Sequence, residues 1–442
     1  MIIQDQLKLR VNSKEKVSKK IELGEEVLAF DDWILPFRFI WSLFRTEQNI
    51  LSIWCHPFCL IEVHSSMASQ LFNHLANKRH HTAANSLDEA RDESKTIYQE
   101  ELSALAEGVE YRISKANQDF SICTTLPTEF IVPEGINDTL LRHAARFRAQ
   151  GRLPILCYRS PSGVLVRSAQ PLCGLGYKRS VQDEKLLKAY GPNLVIVDAR
   201  SPSSALANSL TISGGCELEG HYGAVKRLFL SIDNIHVLRA AEQELAAGNA
   251  NSWLRLMAVL CQGVKCITEE LSKSGGPNTV LVHCSDGWDR TAQLVTLVQI
   301  AVDRRYRTVE GLGRLVEKEW LNTGHQFAKR NTLGEDEDGQ VWGQFVSILW
   351  NWWLYYPRGT FCWDERLLEL LWIEGCDPRS SFYYDCQRDR ANRSTRPFWE
   401  NLVRLSSDSR EANNRHEENS TLDLTDFLNN HQMQTFYISQ FN

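Results

Sequence analysis

The feature that most constrains this chain is a short run, Thr279-Val280-Leu281-Val282-His283, that ends in a loop and is followed at once by a helix-like stretch, Ala292 to Val302. Apolar and β-branched residues in a row, without polar alternation, predict a strand buried on both faces, as in a parallel or mixed sheet covered by helices. Asn193-Leu194-Val195-Ile196-Val197-Asp198 has the same character. Between the two, Trp253 to Leu271 places Leu256, Val259, Leu260, Val264 and Ile267 on one helical face, and Gly275-Gly276-Pro277 stops that helix before the second strand. The expected fold is α/β, a central mixed sheet flanked by helices.

The loop reads Cys284-Ser285-Asp286-Gly287-Trp288-Asp289-Arg290-Thr291, with five residues between Cys284 and Arg290. A loop of that length can curl until its backbone N–H groups and the guanidinium point at one centre, while the following helix adds its positive end. Such a centre fits a phosphate dianion. The same field favours a thiolate, since cysteines at helix N-termini beside cations reach pKa values as low as ~3.5 to 7.5. Gly287 lets the backbone approach a ligand closely, and the Thr291 hydroxyl is placed to hydrogen-bond the sulfur. Cys284 is therefore the predicted nucleophile.

At 442 residues the chain holds about three domains, or one large enzyme core with an appendage. A net charge of -6 argues against a general nucleic-acid binder, so any anion site must be focal. Twelve cysteines without a dense framework, and an N-terminus lacking an apolar secretory core, favour a reducing setting. The longest apolar candidate for a membrane span, Trp33 to Phe44, contains Pro36 and Arg38 and falls well short of the ~20 residues required. Along the chain, residues 1–80 form an N-terminal module in which 25–80 read as strands closed by a helix, 81–107 read as a polar linker, 108–402 as the dense core and 403–442 as a polar, loose tail. No internal repeat or heptad pattern is present.

The loop string resembles the signature of the myotubularin phosphoinositide 3-phosphatases, a family of cysteine-dependent phosphatases. The likeness extends through Tyr111-Arg112-Ile113-Ser114-Lys115, Gly151-Arg152-Leu153-Pro154, Arg167-Ser168-Ala169-Gln170-Pro171, Ala205-Leu206-Ala207-Asn208 and Val316-Glu317-Lys318-Glu319-Trp320. The resemblance implies a phosphatase domain over 108–402, preceded by a small, reduced PH-GRAM-like β module whose first strands are weak or missing. It implies attack by Cys284, charge stabilisation by Arg290 and the loop amides, and proton donation by Asp289, with Asp286 assisting. Around the head group it places Asn208, Asn234, Ile235, Ser285, Asp286, Gly287, Trp288 and Arg330, with no metal and no cofactor.

The substrate it implies is phosphatidylinositol 3-phosphate, and phosphatidylinositol 3,5-bisphosphate as an extension, at endosomal-type membranes from the cytoplasmic side. It leaves room for homo- or hetero-oligomers with related phosphatases, although no coiled coil is visible. One departure bears on the bisphosphate: Gly324-His325-Gln326-Phe327 carries glutamine where the family commonly has a cation, while Arg330, beside Lys329, keeps a second basic position. Because thiolate and arginine do not themselves choose an alcohol, a protein phosphotyrosine phosphatase, or a partner-dependent scaffold with an intact loop, are the alternatives.

Overall fold

The N-terminal residues pair as a seven-stranded antiparallel sheet in the computed structural model, which describes residues 2–64, 70–71, 87–330, 341–375 and 421–429 apart from short breaks within those ranges. Its strands are β1 (Ile2–Val11), β2 (Lys14–Leu23), β3 (Val27–Phe30), β4 (Ile34–Pro36), β5 (Ile40–Glu47), β6 (Ile50–Cys55) and β7 (Cys59–His64), in the order β4-β3-β2-β1-β7-β6-β5. The first strands, expected to be weak or missing, are both ten residues long and pair from Ile2 with Glu22 to Val11 with Lys14. Leu7-Lys8-Leu9-Arg10-Val11 alternates with the period of a half-buried strand, a pattern that many charges hide from a search for apolar clusters.

Residues 87–105, expected within a polar linker, instead form helix α1 (Leu87–Leu105). Its second half buries Ile97, Tyr98, Leu102 and Leu105 against the core. Residues 81–86 lie outside the described residues. Strands β8 (Tyr111–Ser114) and β9 (Phe130–Pro133) then pair with each other, followed by α2 (Asp138–Ala145).

The central sheet comprises β10 (Ile155–Ser160), β11 (Gly163–Ser168), β12 (Asn193–Asp198), β13 (Lys226–Phe229) and β14 (Asn278–His283), in the order β10-β11-β14-β12-β13. Only β10 runs antiparallel, so the sheet is mixed as expected. The two apolar runs are its adjacent central strands. Alternate residues face opposite cores: Val195, Val197, Val280 and Val282 one way, Leu194, Ile196 and Leu281 the other. Helices α3 (Val181–Tyr190), α4 (Pro202–Thr211), α5 (Ile235–Ala246), α6 (Asn251–Ser272), α7 (Arg290–Val302), α8 (Val309–Val316) and α9 (Val341–Tyr355) complete the layers. Within the expected tail, α10 (Leu424–Asn429) packs instead of hanging loose: Leu422, Leu424 and Phe427 are buried, with the Phe427 ring 5.2 Å from Tyr355. The remainder of the tail, and residues 376–402 and 331–340, lie outside the described residues.

Register positions the site. Ser168, His283 and Asp198 sit side by side where β11, β14 and β12 end, so the loop after β14 opens at the carboxyl edge of the parallel strands, where open α/β sheets bind ligands.

Candidate active site

Cys284 is 3% exposed, and its sulfur accepts hydrogen bonds from the Gly287 N–H and the Thr291 hydroxyl, each 3.3 Å long. The curl that brings Gly287 back to the sulfur needs a positive φ of 76°, and a Cβ there would stand 2.6 Å from the Ser168 carbonyl. Only glycine fits that turn. Arg290 opens α7, and its guanidinium donates to the Ile232 carbonyl at 2.9 Å.

The head-group candidates converge on this loop from several elements. Asn208, on α4, donates to the Ser285 hydroxyl at 3.2 Å and to Gln170 Oε1 at 3.3 Å. The exposed Asn234 uses its side-chain oxygen to cap α5, accepting from the His236 and Val237 N–H groups, while Asn234 and Ile235 share a depression with Asp289 and Arg290. Trp288 donates its indole N–H to the Thr125 hydroxyl at 3.3 Å. Gln326 turns its amide back onto the Gly324 carbonyl at 3.0 Å.

The two loop aspartates differ in their surroundings. Arg330 grips both carboxylate oxygens of Asp289, at 3.0 and 2.8 Å. Burial alone would push this carboxyl up, but the bonds from Arg330 outweigh it and hold Asp289 below the ordinary aspartate range. Asp286 is partly buried, and burial and the neighbouring Asp289 charge raise it. As placed here, Asp289 is an anion, so its expected role as acid requires Arg330 to leave first. That restriction was not visible in sequence.

Behind the loop lies a set of buried charges that sequence reasoning did not connect. His283 Nδ1 faces the Cys284 carbonyl at 3.1 Å and Nε2 faces Glu217 at 3.1 Å, so both ring nitrogens meet acceptors, as an imidazolium requires. Burial opposes the charged ring, yet Glu217 outweighs it and the His283 pKa rises. Glu217 also accepts from Arg148 at 2.6 Å, and Arg148 forks onto Asp183 at 2.8 and 2.7 Å. The Gly287 carbonyl receives Arg167 at 3.0 Å and Arg152 at 3.3 Å. Arg167 is balanced by Glu319 at 2.8 Å, from a segment, Glu317–Leu321, with i to i+5 bonding. That widened turn aims Lys318 and Glu319, neighbours in sequence, both inward.

On the outer flank, His325 Nδ1 lies 3.1 Å from the Trp288 carbonyl and 3.4 Å from Asp289, while its Nε2 has no partner. Burial among Trp320 and Phe327 pushes this histidine down to about 4, so it is neutral. For Arg167 the available signal was a charge at the end of an apolar run, Val164-Leu165-Val166-Arg167, whereas Asp183 and Glu319 sit among other charges and carried no such signal.

Comparison with known proteins matches residues 69–391 to the family described as the myotubularin-like phosphatase domain. The chain is 36% identical over 274 residues to "Myotubularin" of Rattus norvegicus, covering 56% of this chain and 45% of that protein. It is 31% identical over 326 residues to "Myotubularin" of Xenopus tropicalis, covering 67% and 54%. To "Phosphatidylinositol-3,5-bisphosphate 3-phosphatase MTMR2" of Bos taurus it is 36% identical over 285 residues, covering 58% and 44%. The chain thus spans about half the length of the curated relatives it matches.

Proposed function

The chain belongs to the myotubularin-like phosphatase family, and from that premise we propose that it hydrolyses the 3-phosphate of phosphatidylinositol 3-phosphate through a phosphocysteine. The observation that carries this reading is the sulfur of Cys284, held by Gly287 and Thr291 at the start of α7 with Arg290 alongside. Sγ attacks phosphorus, the bond to the inositol oxygen breaks, and that oxygen takes a proton. Arg290 and the loop amides offset charge on the equatorial oxygens. Water then cleaves the phosphorus–sulfur bond, releasing phosphate and restoring the thiolate.

Once an anionic head group draws Arg330 off its carboxylate, Asp289 takes up a proton from solvent and passes it to the departing inositol oxygen, returning to the anion. A second reading gives the proton to Asp286, and the upward shift of that carboxyl favours it. Asn208, Asn234, Ile235, Ser285, Gly287 and Trp288 line the approach to the loop for the inositol. The relative named for the 3,5-bisphosphate extends the proposal to that lipid, with Gln326 weakening the grip on a second phosphate. The seven-stranded sheet is read as the PH-GRAM-like module that brings the site to an endosomal-type membrane surface, and homo- or hetero-oligomers with related phosphatases remain part of the proposal. Among the described residues no helix is long and apolar enough to cross a membrane.

The test is phosphate release from short-chain phosphoinositides and a phosphotyrosine peptide. The 3-phosphorylated lipids should be turned over and Cys284→Ser should abolish it, because a serine hydroxyl is far less ionised than a thiolate near neutral pH. Preference for the peptide would replace this reading with the protein-phosphatase alternative.

A further inference from the structure

Four of the cations around the Cys284–Arg290 loop have a carboxylate partner. Arg167 has Glu319, Arg200 has Asp198, Arg330 has Asp289, and His283 has Glu217. Arg290 and Arg152 have none within ion-pair distance among the described residues. Arg290 is partly exposed at the front of the loop, where water and an arriving phosphate both reach it. Arg152 is 2% exposed, behind the loop.

Every bond Arg152 makes goes to a neutral oxygen. Nη1 donates to the Thr125 carbonyl at 2.5 Å and hydroxyl at 2.9 Å, and Nη2 to the Thr323 carbonyl at 2.8 Å and the Gly287 carbonyl at 3.3 Å. Its Nε has no partner. A buried cation without a counter-charge is costly, and a neutral amide side chain could donate to carbonyls at smaller expense. Burial pushes this guanidinium down to about 10, which still leaves it charged at neutral pH. The groups that interact favourably with that charge are Cys123 first, then Cys284 and Asp286 on the loop, while Arg167 opposes it; of the loop pair, Asp286 is shifted toward its protonated form.

We propose that Arg152 is the buried counter-cation of the Cys284 thiolate and of the phosphate that arrives there, a positioning residue acting from behind the loop. The inference rests on the cysteine-phosphatase reading. Geometry gives it a second effect: Arg152 and Arg167 together pin the Gly287 carbonyl backward. In a planar trans peptide the Trp288 N–H then points the opposite way, toward the open side. The other charged groups around the loop are Arg290, Asp286 and Asp289 on it, His283 before it, Arg167 on the Gly287 carbonyl, and Arg200, two residues past the end of β12, which also interacts with Cys284.

The experiment is the pH profile of Cys284 alkylation by iodoacetamide in the full chain, read by peptide mass so that the buried Cys123, which contacts Thr125, is counted separately. Arg152→Gln should move the Cys284 midpoint upward by about one pH unit, slow alkylation at pH 7 roughly tenfold and weaken inhibition by vanadate. Arg152→Lys keeps the charge while losing much of the bonding, so its midpoint should stay close to wild type. A folded Gln variant with the wild-type midpoint overturns the proposal, and so does a Lys variant displaced by a full unit. The Lys arm decides the matter if the Gln variant fails to fold. Alkylation needs no turnover, so a wild-type chain that releases no phosphate, yet shows an Arg152-dependent midpoint, would sink the phosphatase reading and the phosphate half of this one, while its thiolate half would stand.

Discussion

Two buried histidines flank the Cys284–Arg290 loop and are tuned in opposite directions. His283, at the end of β14, has an acceptor on each ring nitrogen and is pushed toward its charged form. His325, on the other flank, lies 3.4 Å from a carboxylate and still falls to about 4. Proximity to an anion therefore does not decide the outcome. Asp289 has already given both oxygens to Arg330, whereas Glu217 sits between Arg148 and His283 with one oxygen for each. On the inner flank, around His283, the charges of Arg148, Asp183 and Glu217 form a closed, paired set, whereas the outer flank holds the Arg330–Asp289 ion pair, which on our proposal an anionic substrate competes for.

The largest expected effect breaks the outer flank. Asp289→Asn should slow hydrolysis of an inositol phosphate by ~10²- to 10⁴-fold, the usual cost of losing a general acid. An activated aryl phosphate needs little proton help and should suffer less. Equal losses on both substrates would reduce Asp289 to a holder of Arg330, and a selective loss in Asp286→Asn instead would move the acid to that residue.

Breaking the inner flank should cost stability. Glu217→Gln removes the counter-charge shared by Arg148 and His283, and a broken buried pair typically costs about 3–5 kcal/mol, measurable by urea unfolding. If unfolding is unchanged, the network is not closed in the sense described.

Arg330→Gln should convert one flank toward the other. Asp289 would then be available to His325, whose titration, followed by imidazole NMR, should rise from about 4 by one unit or more. Stability should follow with the matching sign. A folded value below the ordinary histidine value near ~6.5 means that the unfolded chain binds more protons between those limits, so wild-type stability falls as pH drops through that window. His283, shifted the other way, contributes fully below ~6.5 and loses its contribution as pH rises through its folded value. An Arg330→Gln protein with an unmoved His325 would show that burial alone sets that ring.

The smallest change concerns the second phosphate. Gln326→Arg should raise kcat/KM for the 3,5-bisphosphate relative to the 3-monophosphate by several-fold, since a charge-assisted bond contributes ~1.5 to 3 kcal/mol when it forms. An unchanged ratio in a folded variant would mean that position 326 does not face the ring.

What could be read from sequence follows from how locally each feature is determined. The runs at 193–198 and 279–283 are continuous because both faces of those strands are covered, and they became β12 and the body of β14. The Thr291 hydroxyl meets the sulfur as read from its place in the loop, whereas the turn that folds the Gly287 N–H back onto the same atom was not read from sequence. Helix α1 was hidden because its first half is mostly charged and only Ile97, Tyr98, Leu102 and Leu105 trace the buried stripe. The clamp of Arg330 on Asp289 joins residues 41 positions apart, and the bond from Arg152 to Gly287 joins residues 135 apart, so only the folded sheet brings them together.

The attachments of α1 bear on where this chain can be divided. Glu100 meets Arg314 at 2.7 Å, and Glu101 accepts from the Tyr306 hydroxyl at 3.2 Å, beside the fully buried Lys318. A fragment starting at residue 108 would strip a carboxylate from that lysine and uncover Tyr98, Leu102 and Leu105's partners in the core. A cut ahead of residue 87 would spare these contacts. Exchange of N-terminal segments between relatives should accordingly be tolerated when the junction precedes the helix and fail when it follows, which makes α1 part of the catalytic body in any hybrid protein.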